Sequence, residues 1–175
     1  DLVVGSSSYT FLPELVSRLE RGEQQVIDVS QDSDRFFETA PQTRENPYKA
    51  FVTIMEGCNR FCSFCVVPYT RGSERSRPAR NILTEVHRLA SQGFQEITLL
   101  GQTVNSWQDP REQVITFTDL LRRIAEVEGI RRIRFTSPHP SDFHPDIVEV
   151  IETVPEVCNH IHLPLQSGAT TVLRR

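Results

Sequence analysis

Three cysteines stand within eight residues, in the segment Cys58-Asn-Arg-Phe-Cys62-Ser-Phe-Cys65, and a fourth, Cys158, lies far downstream. Thiolate sulfur is the usual ligand of iron–sulfur clusters. Three thiolates on one short loop can hold three irons of a cubane and leave the last iron open to a substrate or cofactor. A closed zinc tetrahedron wants a fourth Cys or His, from Cys158 or a histidine folding back, and three residues between Cys58 and Cys62 depart from the usual two of ribbons and knuckles. A ferredoxin wants a further cysteine nearby. Disulfides are disfavoured because the chain reads as cytosolic. The open cluster is the favoured reading, and structural zinc is its rival.

The elements that must position these cysteines follow from periodicity. Short apolar runs at Ala50–Met55, Glu96–Leu100, Arg131–Phe135 and His160–Leu163 read as strands. Between them lie segments of helical period. The first carries Ile82, Leu83, Val86, Leu89 and Ala90 and stops at Gly93, where glycine tolerates left-handed C-cap geometry. The second opens on Thr116-Phe-Thr-Asp119, a capping-box pattern, continues through Leu120, Leu121, Ile124 and Val127, and stops at Gly129. The third has Pro145 in its first turn, then Ile147, Val148, Ile151 and Val154 before Pro155; a fourth starts near Gly168. Alternation of this kind predicts α/β architecture with parallel strands in an open part of a (β/α) barrel, about four units long over residues 47–175. The cysteines then follow the first strand, at the strand end where parallel α/β folds bind ligands.

Ahead of this repeat, a strand (Leu2–Val4), a helix (Leu12, Leu15, Val16 and Leu19, up to Gly22) and a strand (Gln25–Val29) predict a βαβ unit that looks like the end of another domain. Residues 30–47 are polar and aperiodic and read as a linker packed through Phe36 and Phe37. The predicted division is therefore 1–46 and 47–175.

Composition sets bounds. The chain has 175 residues, 38% hydrophobic and 24% charged, enough for one sizeable core. No apolar stretch approaches the ~20 residues of a membrane span, and the start lacks the pattern of a signal peptide, so the expectation is a cytoplasmic protein without membrane association. The net charge of −4 divides unevenly: residues 1–46 hold 9 acidic and 4 basic side chains, residues 47–175 hold 14 and 15. Neither part is a basic nucleic-acid module by charge.

With an aromatic, Phe64, before its last cysteine and βα units after it, the CxxxCxxC segment resembles the radical S-adenosylmethionine superfamily. Met55-Glu-Gly-Cys-Asn59, Cys65-Val-Val-Pro-Tyr-Thr-Arg-Gly72 and Ser76-Arg-Pro78 are similar to the methylthiotransferases, and within them to the subgroup of tRNA 2-methylthio-isopentenyladenosine synthases. Leu100-Gly-Gln-Thr-Val-Asn105, Thr136-Ser-Pro-His-Pro140 and His160-Ile-His-Leu-Pro-Leu-Gln-Ser-Gly168 continue the likeness over nearly all of residues 47–175. The resemblance implies a 4Fe–4S cluster on Cys58, Cys62 and Cys65, with S-adenosylmethionine chelated at the open iron and cleaved by one electron to a 5′-deoxyadenosyl radical. It implies a methylthio group added to carbon 2 of a prenylated adenosine next to the anticodon of tRNA. It further implies an electron donor such as flavodoxin or ferredoxin, and a second 4Fe–4S cluster on three cysteines of an N-terminal domain. Residues 1–46 contain no cysteine and resemble only the tail of that domain, so the chain alone is expected to be an inactive part of the enzyme. The hydrogen-abstracting agent is the cofactor, so no catalytic side chain is assigned. Rival readings are a methylthiotransferase acting on a ribosomal-protein aspartate and a non-catalytic zinc module.

The same resemblance implies that Phe64, Gly101, Gln102, Asn105, Ser137, His139 and Gln166 face the cofactor. Gly101, Gln102 and Asn105 follow the second strand, Ser137 and His139 the third, and Gln166 the fourth. Against this stands a plain reading in which Asn and Gly make turns and His139, flanked by prolines, packs a loop. Arg71, Arg75 and Arg77 offer planar forks to RNA phosphates or to the cofactor carboxylate, or else form a solvated face. Cys158 reads as a small packing residue. The run Arg122, Arg123, Arg131, Arg132 and Arg134 is largely accounted for by helix-dipole compensation.

Overall fold

A computed structural model describes residues 1–30 and 46–174. The expected packing of Phe36 and Phe37 lies outside the described residues. The chain divides into two units, one made of the described residues of Asp1–Gln42 with Gly57–Ser73, the other of those of Thr43–Glu56 with Glu74–Arg175.

In the first unit, β1 (Leu2–Val4) and β2 (Val26–Asp28) pair in parallel, Leu2 opposite Val26 and Val4 opposite Asp28. The connecting helix α1 (Leu12–Glu20) has Pro13 in its first turn, where the missing N–H costs nothing, and buries Leu15. Gly22, at φ 100°, ends it. This is the βαβ unit that the apolar spacing predicts.

The second unit is built on a parallel sheet of β3 (Lys49–Thr53), β6 (Glu96–Leu100) and β7 (Arg132–Phe135), with β6 in the centre. The alternation Arg-Ile-Arg-Phe in β7 sends Ile133 and Phe135 into the core and the arginines to the other side. Against the sheet pack α3 (Ala79–Ser91), through Ile82, Val86 and Leu89; α4 (Phe117–Ala125), through Leu120, Leu121 and Ile124; and α5 (Pro145–Thr153), through Ile147 and Val150. Phe117 meets Phe135 edge to face, ring centres 5.3 Å apart. The capping box opens α4: the Asp119 carboxylate accepts from the Thr116 backbone N–H at 2.9 Å and from its hydroxyl at 2.8 Å. Gly93 and Gly129, at φ 91° and 94°, follow the helix ends that the sequence marks.

Two expected strands differ. The run Ala50–Met55 is not one strand. Ile54 donates its N–H to Leu100 and its carbonyl accepts from Arg77, so the chain changes partner there, and Met55–Glu56 (β4) pairs antiparallel with Arg75–Ser76 (β5). Between β4 and β5 lies the cysteine loop, with a short helix α2 (Val67–Arg71). The fourth expected strand, His160–Leu163, does not form. Val157 makes one parallel bridge to Ile133, and a tight turn from the His160 N–H to the Cys158 carbonyl (2.7 Å) then directs the chain off the sheet edge. Ile161 and Leu163 stay 40% and 48% exposed, without an apolar layer to drive pairing. A last helix, α6 (Thr170–Leu173), follows Gly168. The described residues thus give an α/β unit of three parallel strands.

Charge fixes the lower end of the sheet. Burial pushes the Glu96 carboxyl up, but the Arg132 hydrogen bond (2.7 Å) and the charges of Lys49 and Arg134 outweigh it and hold the group below the ordinary glutamate value. Arg132 and Arg134 are therefore ion-pair partners of Glu96, beyond any helix-dipole role. A depressed folded-state value stabilises fully above the unfolded value of about 4.3 and loses that contribution as pH falls through the lowered value. Glu96→Gln is accordingly expected to flatten the acid limb of a stability-versus-pH curve, read from urea midpoints between about pH 6 and 3. Asp109 and Asp119, also lowered, contribute in the same direction.

Candidate metal and cofactor site

The cysteine loop, Gly57–Ser73, is pinched at its neck. Gly57 sits at φ 70°, and a Cβ there would strike the Ser73 carbonyl oxygen, so glycine is required on both counts. The Cys58 N–H donates to the Gly72 carbonyl at 3.2 Å, and the Cys65 N–H to the Cys62 carbonyl at 2.9 Å. Phe61 adopts φ 46° and stacks edge to face on Tyr69 at 5.7 Å. Cys58 is buried, Cys62 and Cys65 are half-buried, and none of the cysteines forms a disulfide. The donor set fits an iron–sulfur cluster in type and number: three thiols on one loop. Their side chains are not gathered about a common point, and among the described residues no three Cys, His, Asp or Glu side chains form a metal-ligand group. Phe64 is 69% exposed on the same loop.

In the second unit, the loops after β6 and β7 carry the other candidates. A Cβ on Gly101 would drive into the Met55 side chain, which is buried. Gly101→Ala is therefore expected to destabilise by about 1–3 kcal/mol, the cost of overpacking a filled core, with a lower urea midpoint at unchanged slope. Gln102 places its Oε1 in a buried position with no hydrogen-bond partner among the described residues, an acceptor that a ligand ammonium would satisfy. Asn105 is buried and spends its amide on backbone: Oδ1 accepts from the His139 N–H at 2.7 Å and Nδ2 donates to the His139 carbonyl at 2.8 Å. The two loops are thereby locked together. Ser137, at φ 54°, occupies the left-handed region that non-glycine residues rarely enter, a conformation often found where backbone is held for function. The His139 ring accepts from the Ser141 N–H through Nδ1 at 3.2 Å. Gln166, at φ 63°, lies in the irregular stretch before α6 and follows no strand. Beside Asn105, a cleft of about 270 Å³ is lined by Trp107, Phe117, Asp142, His144 and Asp146, among others.

The arginines differ from a solvated face. Arg77 is buried, paired to Glu85 at 2.5 Å and to the Thr53 carbonyl at 3.3 Å; Arg75 pairs with Glu56 at 3.2 Å. Arg71 alone is exposed. Sequence reasoning missed three residues that hold this region. Asp109 accepts from the Ala79 N–H at 2.6 Å, capping α3 from thirty residues away because Pro78 cannot, and from the Arg111 and Glu112 N–H groups. Burial raises the Asp109 carboxyl, and these three donors lower it further than burial lifts it. Glu85 lies on the buried face of α3, and Glu74 accepts from Thr103 and Ser106. An acid followed within a turn by Pro110 was the one local signal, at Asp109.

Comparison with known proteins follows the same residues. The model of the Radical SAM superfamily matches residues 52–175. A tRNA-2-methylthio-N(6)-dimethylallyladenosine synthase of Koribacter versatilis is 48% identical over 174 residues, covering 99% of this chain and 39% of the relative. Proteins of the same name from Shewanella denitrificans and Clostridium botulinum are 47% and 42% identical, with 99% and 100% of this chain and 37% and 39% of the relatives covered. The chain thus spans well under half the length of these relatives. The family match and the loop of three cysteines agree: the chain belongs to the radical S-adenosylmethionine superfamily.

Proposed function

We propose that the whole protein is a tRNA methylthiotransferase that adds a methylthio group to carbon 2 of isopentenyladenosine next to the anticodon. The observation that carries this reading is the 42–48% identity, along essentially the whole chain, to relatives named for that product. In this reading residues 47–175 are an incomplete core of partial (β/α)-barrel type, and residues 1–46 are the tail of an N-terminal methylthiotransferase domain with its linker. The protein works in the cytoplasm, takes electrons from a flavodoxin or ferredoxin, and carries a second 4Fe–4S cluster on cysteines outside this chain.

Cys58, Cys62 and Cys65 hold three irons of the first cluster, and Gln102 accepts from the ammonium of S-adenosylmethionine. When bound, the cluster and S-adenosylmethionine supply hydrogen abstraction at the target carbon. The chain's own part is presentation and exclusion of water. Gly57 closes the neck of the cysteine loop, Gly101 admits Met55 beneath the loop after β6, and Asn105 fixes the His139 backbone beside it. Ser137 and Gln166 offer polar groups from left-handed backbone, and Phe64 shields the loop. Anaerobically reconstituted full-length protein is expected to methylthiolate prenylated tRNA, detected by nucleoside mass spectrometry, and to leave unprenylated tRNA unchanged. Methylthiolation of a ribosomal-protein aspartate instead would overturn the reading.

A further inference from the structure

We propose that Glu74 is a positioning residue: it ties the β4–β5 ladder to the loop after β6, and so governs how tightly S-adenosylmethionine is bound. The inference rests on the function proposed above. Glu74 is the first residue after the loop Gly57–Ser73, and the next two residues are β5, paired with β4 and tied by the Arg75–Glu56 ion pair at 3.2 Å. Its carboxylate is divided between the two ends of one turn. Oε2 accepts from the Thr103 hydroxyl at 2.6 Å, and the Ser106 hydroxyl sits 3.0 Å from Oε1 and 2.8 Å from the Thr103 carbonyl. Thr103 is buried and Glu74 half-buried, so the contact is partly shielded from water, where a hydrogen bond is stronger than in the open solvent.

That turn is the same one that presents Gly101 and Gln102 on its entry side and Asn105 within it. Asn105 continues the chain of contacts to the His139 backbone. Glu74 thus holds both ends of the turn Thr103–Ser106 by hydrogen bonds, and Asn105 within the same turn binds the backbone of the loop after β7, so the two loops that carry candidate cofactor residues are tied to the start of β5. A carboxylate suits this place because its two oxygens can accept from the Thr103 and Ser106 hydroxyls together. Glutamine can accept one and must donate to the other, which a rotated hydroxyl tolerates.

The test uses the anaerobically reconstituted protein with Glu74→Ala, Glu74→Gln and Thr103→Val. Three quantities are measured: iron and sulfide per chain, the urea midpoint, and the S-adenosylmethionine dissociation constant from the spectral change of the reduced protein. Glu74→Ala and Thr103→Val are expected to retain iron and sulfide but to weaken S-adenosylmethionine by about 10–100-fold, the scale of lost outer-shell support. Glu74→Gln should recover most of it, and the double variant Glu74→Ala/Thr103→Val should be no weaker than Glu74→Ala alone, as coupled partners behave. An unchanged dissociation constant in Glu74→Ala overturns the inference, as does loss of iron in step with stability across all variants, which would make Glu74 a fold residue only. A wild-type protein that holds its cluster yet shows no response to S-adenosylmethionine overturns the proposed function and this inference with it. A responding wild type beside an unaffected Glu74→Ala overturns this inference alone.

Discussion

Replacing any one of Cys58, Cys62 and Cys65 by alanine is expected to drop iron and sulfide far below stoichiometry and to abolish the spectral response to S-adenosylmethionine. With two thiolates left, the loop offers no further cysteine; the fourth of the chain, Cys158, follows β7 in the second unit and donates its backbone N–H to Ile133. Methylthiolation by the full-length protein should fall by more than about 100-fold, beyond the range seen for outer-shell changes. Cys158→Ala is the control and should retain iron and activity. Iron retained in all three loop variants would show that other residues hold the metal.

The largest effect on the fold is expected at Glu85. Its carboxylate faces the Arg77 guanidinium at 2.5 Å, with side chains 6% and 10% exposed. Arg77 also supports the neighbourhood through backbone: its N–H donates to Ile54 and its carbonyl accepts from the Trp107 indole at 3.0 Å. Glu85→Ala leaves a buried guanidinium without its counter-charge, and Arg77 Nε already lacks a partner among the described residues. Breaking such a pair costs about 3–5 kcal/mol, against a total stability of about 5–15 kcal/mol for an ordinary domain. Most of the chain should therefore unfold at mild urea. Replacing both members, as Arg77→Met with Glu85→Leu, should recover much of the loss, because two apolar groups leave no uncompensated charge. A double variant as unstable as Glu85→Ala would show that the backbone contacts of Arg77 depend on its charge.

Local signals were legible where one residue type has one physical meaning. Thr116 with Asp119, and Gly93 and Gly129 beyond their helices, each act within a single turn, and the structure has them where the sequence puts them. The bounds of β6 were equally plain, since Ile97, Leu99 and Leu100 form a short apolar run of strand length. What the sequence hid depends on partners distant along the chain. Asp109 caps a helix that starts thirty residues earlier, Glu96 gathers Lys49, Arg132 and Arg134 from two other strands, and Glu74 finds Thr103 and Ser106. No periodicity announces such pairings. His160–Leu163 misled for the opposite reason: its residues suit a strand, but the turn at Cys158–His160 takes them away from the edge of β7. Asn105, read from its position as a cofactor contact, turns out to be bound to the His139 backbone, which makes it the clamp between two loops.

The open iron–sulfur cluster proposed for Cys58, Cys62 and Cys65 can be measured. Its most direct test is anaerobic reconstitution with iron and sulfide, followed by iron, zinc and sulfide analysis and a spectrum of the reduced protein with and without S-adenosylmethionine. About four irons and about four sulfides per chain, as three-cysteine cubane ligation requires, are expected, with a spectral change when the cofactor is added. One zinc and no sulfide, with no change on adding the cofactor, would contradict it and leave a structural metal module in place of the radical enzyme.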